Sequence, residues 1–315
     1  MQQLFYYEKS LCVAIPFTSA RESVLTLFDP ILNGTSTRLA PIDVAFVKVH
    51  AILFTQRQSD QFNDTLDELL GFLDNHIART TRRWLEPGAY IAVCNSCAVL
   101  EYGKPENVIM KSIEKPSDEP DVKMADNPPK EASIDVFVNA RLLAQKVDAV
   151  VLARFGDPNV LPFVHARLVF FVGLMDYPQA MDQLKDYVNW SQLVEFLNSL
   201  IPGYTTFERI ASPEIPRPTK GEHRPLVEDW SLRGLLYAEK IYPADWFQTK
   251  LDDDEKHFEI ASMGDDRKER VLWLSYKLAS YKRYITFDEE AHTFSSVDDS
   301  GDVDMLSPQT VDEGQ

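Results

Sequence analysis

Apolar residues recur every three or four positions along most of the chain, and this spacing places them on one face of an α-helix. The stretch at 160–175 is apolar almost all round, so we expect its helix to be central. No convincing strand alternation interrupts the pattern, which predicts an all-α protein of stacked antiparallel helical hairpins, similar to an α-solenoid. The predicted helices cover residues 4–14, 19–29, 41–54, 60–84, 89–102, 133–147, 160–175, 190–200 and 265–279.

Proline and capping residues set the expected ends of these helices. Pro16, Pro30 and the pair Pro87-Gly88 are predicted to end helices, because proline cannot donate a backbone N–H inside a helix. Ser19 and Glu22 have the spacing of a capping box, so a helix should begin there. A Pro-rich loop is expected at 202–225, and loops of that length usually wrap a surface or carry a function.

Two segments differ in composition from the helical runs. Residues 111–131 contain several prolines and many charges but few large apolar side chains, and residues 286–315 are acidic and rich in serine. Such segments bury too little apolar surface to offset the entropy cost of ordering. We therefore predict a disordered insertion at 111–131 and a disordered acidic tail at 286–315.

Overall charge limits the possible partners. The chain has 315 residues, with 49 acidic residues against 32 Lys and Arg, so its net charge is −17. Bulk polycation binding to nucleic acid is thereby excluded, and any contact with phosphate must come from a local basic patch. Three cysteines are too few for a disulfide scaffold, and no apolar run reaches the ~20 residues of a membrane-spanning helix. We expect a soluble protein of the nucleus or cytoplasm with no membrane contact.

The sequence carries no motif that favours catalysis. Cys94 and Cys97 have redox-pair spacing, but they lie inside a predicted apolar helix and are expected to be core residues. The six histidines are scattered, and the acidic runs at 252–255 and 265–266 are too local to converge on a metal ion. Neither a Gly-rich phosphate loop nor a G-x-S-x-G motif is present. We predict no enzyme activity, no cofactor and no metal site.

Basic clusters are the candidate binding residues. Arg79, Arg82 and Arg83 lie beside Trp84, an arrangement that could hold phosphate while the indole stacks on a base. Alternatively, these arginines complement the helix dipole and Trp84 packs inward. The same two interpretations apply to a second cluster of Lys277, Lys282 and Arg283.

Three segments together resemble the Est/Smg family, whose members act in telomerase recruitment and nonsense-mediated mRNA decay. Residues 5–17, with Phe5-Tyr6-Tyr7 followed by Lys9-Ser10-Leu11 and Pro16-Phe17, resemble the family's "YYxRSLAVxxPF" stretch. Residues 225–235 (PLVEDWSLRGL) are similar to its "PLPEDxELRGF" turn, and residues 267–279 (RKERVLWLSYKLA) to the helix that follows. The resemblance runs from about residue 4 to residue 284.

This resemblance implies both a fold and a function. It implies that residues 1–33 end a 14-3-3-like tetratricopeptide superhelix and that 40–285 form a helical-hairpin domain of DNA/RNA-binding type. Lys9 stands where the family commonly has an arginine of a phosphoserine-binding pair, which makes it a phosphopeptide-binding candidate; it could equally be a surface residue. The implied role is a non-enzymatic adaptor for partners in RNA decay or telomerase complexes, with single-stranded RNA or telomeric DNA as a possible ligand. The alternative is a protein-interaction scaffold that contacts no nucleic acid.

Overall fold

The computed structural model describes residues 17–35, 39–114, 136–218 and 223–297, and it confirms the all-α prediction. Lys9, most of the predicted insertion and residues 298–315 lie outside these ranges. The helices are α1 (Phe17–Leu32), α2 (Pro41–Thr55), α3 (Phe62–Thr80), α4 (Leu85–Val99), α5 (Val108–Glu114), α6 (Val136–Leu152), α7 (Leu161–Leu174), α8 (Pro178–Asp182), α9 (Trp190–Leu200), α10 (Phe207–Ile210), α11 (Val227–Leu232), α12 (Asp253–Lys256) and α13 (Met263–Ser280), followed by strands β1 (Ile285–Asp288) and β2 (Thr293–Ser296).

Helix α7 lies at the centre of the molecule, as its uniformly apolar sequence predicts. It packs against α4 on one side and α13 on another, and nearly every one of its side chains is buried. The outer helices are added in layers, with α2 against α3, and both α3 and α4 against α6. One continuous hydrophobic cluster extends from Phe28 in α1 to Phe294 in β2. Thus α1 shares its core with the helices beyond residue 40.

The predicted helix break at Pro87-Gly88 is wrong, because α4 runs through both residues. Pro87 is the third residue of the helix, where the backbone N–H has no intrahelical partner to lose. Gly88 lies directly under the Trp84 ring, and a Cβ atom there would overlap the indole. A tight 3-10 turn at Thr81–Trp84 therefore joins α3 to α4 and lets Trp84 reach the core.

Two further predicted boundaries are also wrong. Helix α1 continues past Pro30 to Leu32, since a proline in the last turn removes only one hydrogen bond from a helix that is about to end. The predicted insertion begins too early at residue 111, because α5 includes Lys111–Glu114 and buries Ile109.

The predicted disordered tail does not begin at residue 286. Instead, β1 and β2 form an antiparallel hairpin in which Phe287 is opposite Phe294. Phe294 is buried, and Asn198 of α9 binds its backbone on both sides, accepting from its N–H at 2.8 Å and donating to its carbonyl at 2.9 Å. This hairpin closes the core over α9. The acidic, Ser-rich composition of this segment did not indicate that Phe287 and Phe294 would pair in a hairpin.

None of the helices in the described ranges combines the length and the apolar character that crossing a membrane requires.

Candidate nucleic-acid interface

A buried cluster of charged residues joins α11 to the start of α13. Arg267 donates to both oxygens of Glu228, at 2.6 and 2.9 Å, and to both oxygens of Glu259, at 2.8 and 2.9 Å. His165 of α7 lies against the same site, with its Nδ1 2.9 Å from Glu228 Oε1. Such two-pronged contacts are the strongest that an arginine makes with carboxylates. The cluster fixes α11 on α7 and α13.

Asp229, the next residue, is also buried and fully engaged. It accepts hydrogen bonds from Tyr242 Oη at 3.0 Å, Trp246 Nε1 at 3.1 Å, Arg270 at 3.2 Å and the Leu226 N–H at 2.9 Å. The last of these is a helix-capping contact at the start of α11. Asp229 therefore ties the start of α11 to α13 and to the segment at 242–246.

Electrostatics keep both members of the central pair charged. Burial alone would raise the pKa of Glu228, but the Arg267 charge and the His165 hydrogen bond hold that pKa well below its usual range. Burial would likewise lower the pKa of Arg267, and Glu228 and Glu259 instead raise it. The carboxylates of Glu228 and Glu259 are both paired with Arg267. Among the described residues, neither carboxylate therefore forms an ion pair with the nearby surface arginines.

A cavity of about 300 Å³ opens beside this cluster, between the start of α4 and the segments around α11 and residue 258. Its wall is mixed in character: Glu86 accepts a hydrogen bond from Tyr90 and lies 3.0 Å from His257 Nδ1. The lining residues are Arg82, Arg83, Leu85, Glu86, Ala89, Tyr90, Pro162, Val227, Glu228, Ser231, His257, Glu259 and Arg267.

Arg79, Arg82 and Arg83 form an exposed arginine edge, of which Arg82 and Arg83 line this cavity. All three side chains are exposed, and Arg82 and Arg83 also line a second, more open hollow of about 550 Å³ formed by residues 79–83. Arg82 donates to the backbone carbonyl of Glu259 at 3.3 Å. Within the described ranges, the side chains of Arg79 and Arg83 make no hydrogen bond or ion pair. The arginine edge thus presents guanidinium groups to solvent.

Trp84 follows the inward-packing alternative. Its side chain is fully buried and stacks on Phe163 of α7, with the ring centroids 6.1 Å apart. Its indole cannot stack on a base, because core side chains cover the ring. The sequence placed the arginines correctly beside a tryptophan but could not show that the tight turn directs them to opposite sides.

The second basic cluster is less available than the arginine edge. Lys277 is half-buried over the Trp273 ring, 4.6 Å from its centroid, and burial lowers its pKa. Arg283 forms an ion pair with Asp182 at 2.7 Å. Lys282 is exposed at the end of α13, with a left-handed backbone conformation. Considering only contacts among the described residues, Lys282 is therefore the one unengaged cation of the three.

The two cysteines and the two acidic runs have structural roles. Cys94 and Cys97 are buried in α4, as predicted for core residues. The run at 252–255 supplies the N-terminal cap of α12, where the Asp252 N–H donates to Glu255, and residues 265–266 lie in the first turn of α13. In the described ranges, no group of three or more His, Cys, Asp or Glu side chains is placed to hold a metal ion.

Sequence reasoning missed two features of this region. It did not identify Phe258, whose side chain is 63% exposed between two cavity-lining residues, His257 and Glu259. The sequence pattern also did not predict that the acidic turn at 225–235 pairs with the basic helix start at 267–279. Their complementary charges, Glu228-Asp229 against Arg267 and Arg270, were the available signal.

Comparison with known proteins adds no family assignment: no family model matches the chain, and no curated protein matches it significantly.

Proposed function

We propose that this protein is a non-enzymatic adaptor that holds the phosphate backbone of a nucleic acid at the arginine edge. The observation that supports this most directly is the exposure of Arg79, Arg82 and Arg83 around two adjoining hollows. Guanidinium groups bind phosphate oxygens in two-pronged geometry, and such contacts position a strand without reading its sequence.

The charge arrangement around the edge favours this function. Glu228 and Glu259 line the cavity but are held by Arg267, and Glu86 is engaged by Tyr90 and His257. In the described part of the chain, no carboxylate forms an ion pair with any of the three edge arginines. A phosphate can therefore approach without displacing a carboxylate from these arginines; at Arg82 it would compete only with the Glu259 backbone carbonyl.

Affinity should be modest and strongly dependent on salt. The net charge of −17 repels a polyanion at long range, but residues 298–315 contribute six acidic residues and no basic ones to it. The rest of the chain therefore carries a smaller net negative charge than the whole. A local arginine edge can bind phosphate at low ionic strength, where its field is least screened.

The biological setting follows from the resemblance described above. We propose a role in nonsense-mediated mRNA decay or telomere maintenance, in the nucleus or cytoplasm, with protein partners from those complexes. The acidic overall charge favours the alternative of a protein-interaction scaffold without nucleic-acid contact.

Binding of labelled single-stranded RNA and DNA, measured by anisotropy at low salt, tests the proposal. The double variant Arg82→Ala with Arg83→Ala should lose most of the affinity. The matched control is Lys282→Ala with Arg283→Ala, which removes the same charge from the second basic cluster and should retain most of it. No binding by the wild type, or equal losses in both double variants, would contradict the proposed interface and leave the scaffold alternative.

A further inference from the structure

An exposed aromatic side chain lies next to the arginine edge. Phe258 is the most exposed of the large apolar residues in the described ranges, at 63%. Its two neighbours, His257 and Glu259, line the same cavity as Arg82 and Arg83. Arg82 also donates to the Glu259 carbonyl, 3.3 Å away, which ties the arginine edge directly to this segment. Phe258 itself does not line the cavity, but the Arg82 contact places the exposed phenylalanine one residue from the backbone carbonyl that the arginine edge binds.

The backbone around Phe258 is anchored on both sides. Arg224 donates to the carbonyls of Glu255 and of Phe258, the latter at 3.4 Å. On the other side, the Glu259 carboxylate is gripped by buried Arg267. A phenyl ring on a fixed backbone has only two rotatable bonds left, so little conformational entropy remains to be lost on binding.

We propose that Phe258 stacks on an unpaired base of a single strand whose phosphates lie on Arg82 and Arg83. This inference rests on the proposed function and adds the base contact that makes the site selective for single strands. A cationic track beside an aromatic side chain is the arrangement that binds single-stranded nucleic acid with little sequence preference. In a duplex, bases are already stacked and paired, so an exposed ring gains no contact.

Charge explains why the occupant is a nucleic acid. An exposed phenylalanine alone would fit many apolar partners. Here the neighbouring cations Arg82 and Arg83 require an anionic partner that also carries flat apolar groups, and a single strand provides both at every nucleotide.

An oligonucleotide that contains abasic sites provides the decisive probe, because it keeps every phosphate and lacks bases. Wild-type protein should bind a single strand of thymidines more tightly than its abasic counterpart, by about 5- to 150-fold, the range expected when one base stacks on an aromatic side chain. Phe258→Ala should bind both strands equally weakly, and Phe258→Trp should restore the preference. Tyr281→Ala, which removes a 51%-exposed aromatic near the second basic cluster, is the matched control and should behave as wild type.

The outcomes separate the two proposals. If Phe258→Ala keeps the wild-type preference for bases, or if wild type binds the abasic strand as tightly as the normal one, the stacking inference is wrong. The backbone-binding proposal would then still stand, provided that the Arg82 and Arg83 double variant loses affinity for both strands. If no strand binds the wild type, both proposals fail together.

Discussion

Glu228 and Arg267 form a buried ion pair that joins two segments 39 residues apart, with two hydrogen bonds of 2.6 and 2.9 Å. Each residue comes from a different motif of the Est/Smg resemblance, the acidic turn at 225–235 and the basic helix start at 267–279. Asp229 and Arg270, in the same two segments, form a second buried ion pair at 3.2 Å. These charged residues therefore connect helices in the interior.

Breaking this ion pair should strongly destabilise the fold. Arg267→Ala leaves Glu228 buried without its main counter-charge, a loss of about 3–5 kcal/mol in the free energy of unfolding. Urea denaturation followed by circular dichroism measures it. Arg283→Ala, which removes an exposed ion pair with Asp182, is the control and should cost no more than about 1 kcal/mol. Similar losses in the two variants would contradict the interior role of Arg267.

Stability should decline as the pH falls from about 6.5 towards 3, in part because of His50. Burial lowers the pKa of His50 to about 3, although a hydrogen bond with Asn95 opposes the shift. Below pH 6.5 the unfolded chain therefore takes up a proton at this site that the folded chain does not. The free energy of unfolding should fall by up to ~1.4 kcal/mol per pH unit from this residue.

The variant His50→Gln removes that titration. Its free energy of unfolding should depend less steeply on pH than that of the wild type between pH 6 and 3.5, whatever its absolute stability. At pH 8 the two slopes should coincide, which serves as the internal control. Parallel curves across the acidic range would show that His50 makes no such contribution.

Two glycines in helices should respond to alanine in opposite directions. A Cβ atom at Gly173 in α7 would overlap the carbonyl oxygen of Tyr237, so Gly173→Ala should cost about 1–3 kcal/mol through overpacking. Gly71 in α3 has no neighbouring atom within 4 Å of such a Cβ, and Gly71→Ala should stabilise the helix by about 0.5–1 kcal/mol. Thermal melts of both variants test this, and a loss of stability at position 71 would contradict it.

Salt dependence should report the number of phosphates held by the arginine edge. Each phosphate contact on a single strand contributes about 0.7 to the slope of log affinity against log salt concentration. The Arg82→Ala and Arg83→Ala double variant should therefore lower the slope by roughly 1.4 if each arginine holds one phosphate. Anisotropy titrations at four salt concentrations provide the slopes. An unchanged slope would mean that these arginines do not contact phosphate.

Helix positions were predictable because apolar periodicity is a local property. The centrality of α7 followed from its uniformly apolar sequence, and the inward position of Cys94 and Cys97 from their place within an apolar run. The errors arose at proline and in the tail. Pro87 lies in the first turn of α4, where proline is tolerated, and its local sequence does not reveal that position. The hairpin at 285–296 depends on Asn198, which is distant in sequence.

The sequence by itself determined which stretches become helices, because the spacing of apolar residues is a local property. It also determined that any phosphate must bind a local arginine cluster, because the net charge of the chain is negative. Only the tertiary structure decided which side chains are available. Burial of Trp84 beneath the turn, neutralisation of Glu228 by Arg267 and exposure of Phe258 beside Arg82 all depend on packing between distant segments, and no local pattern encodes that packing.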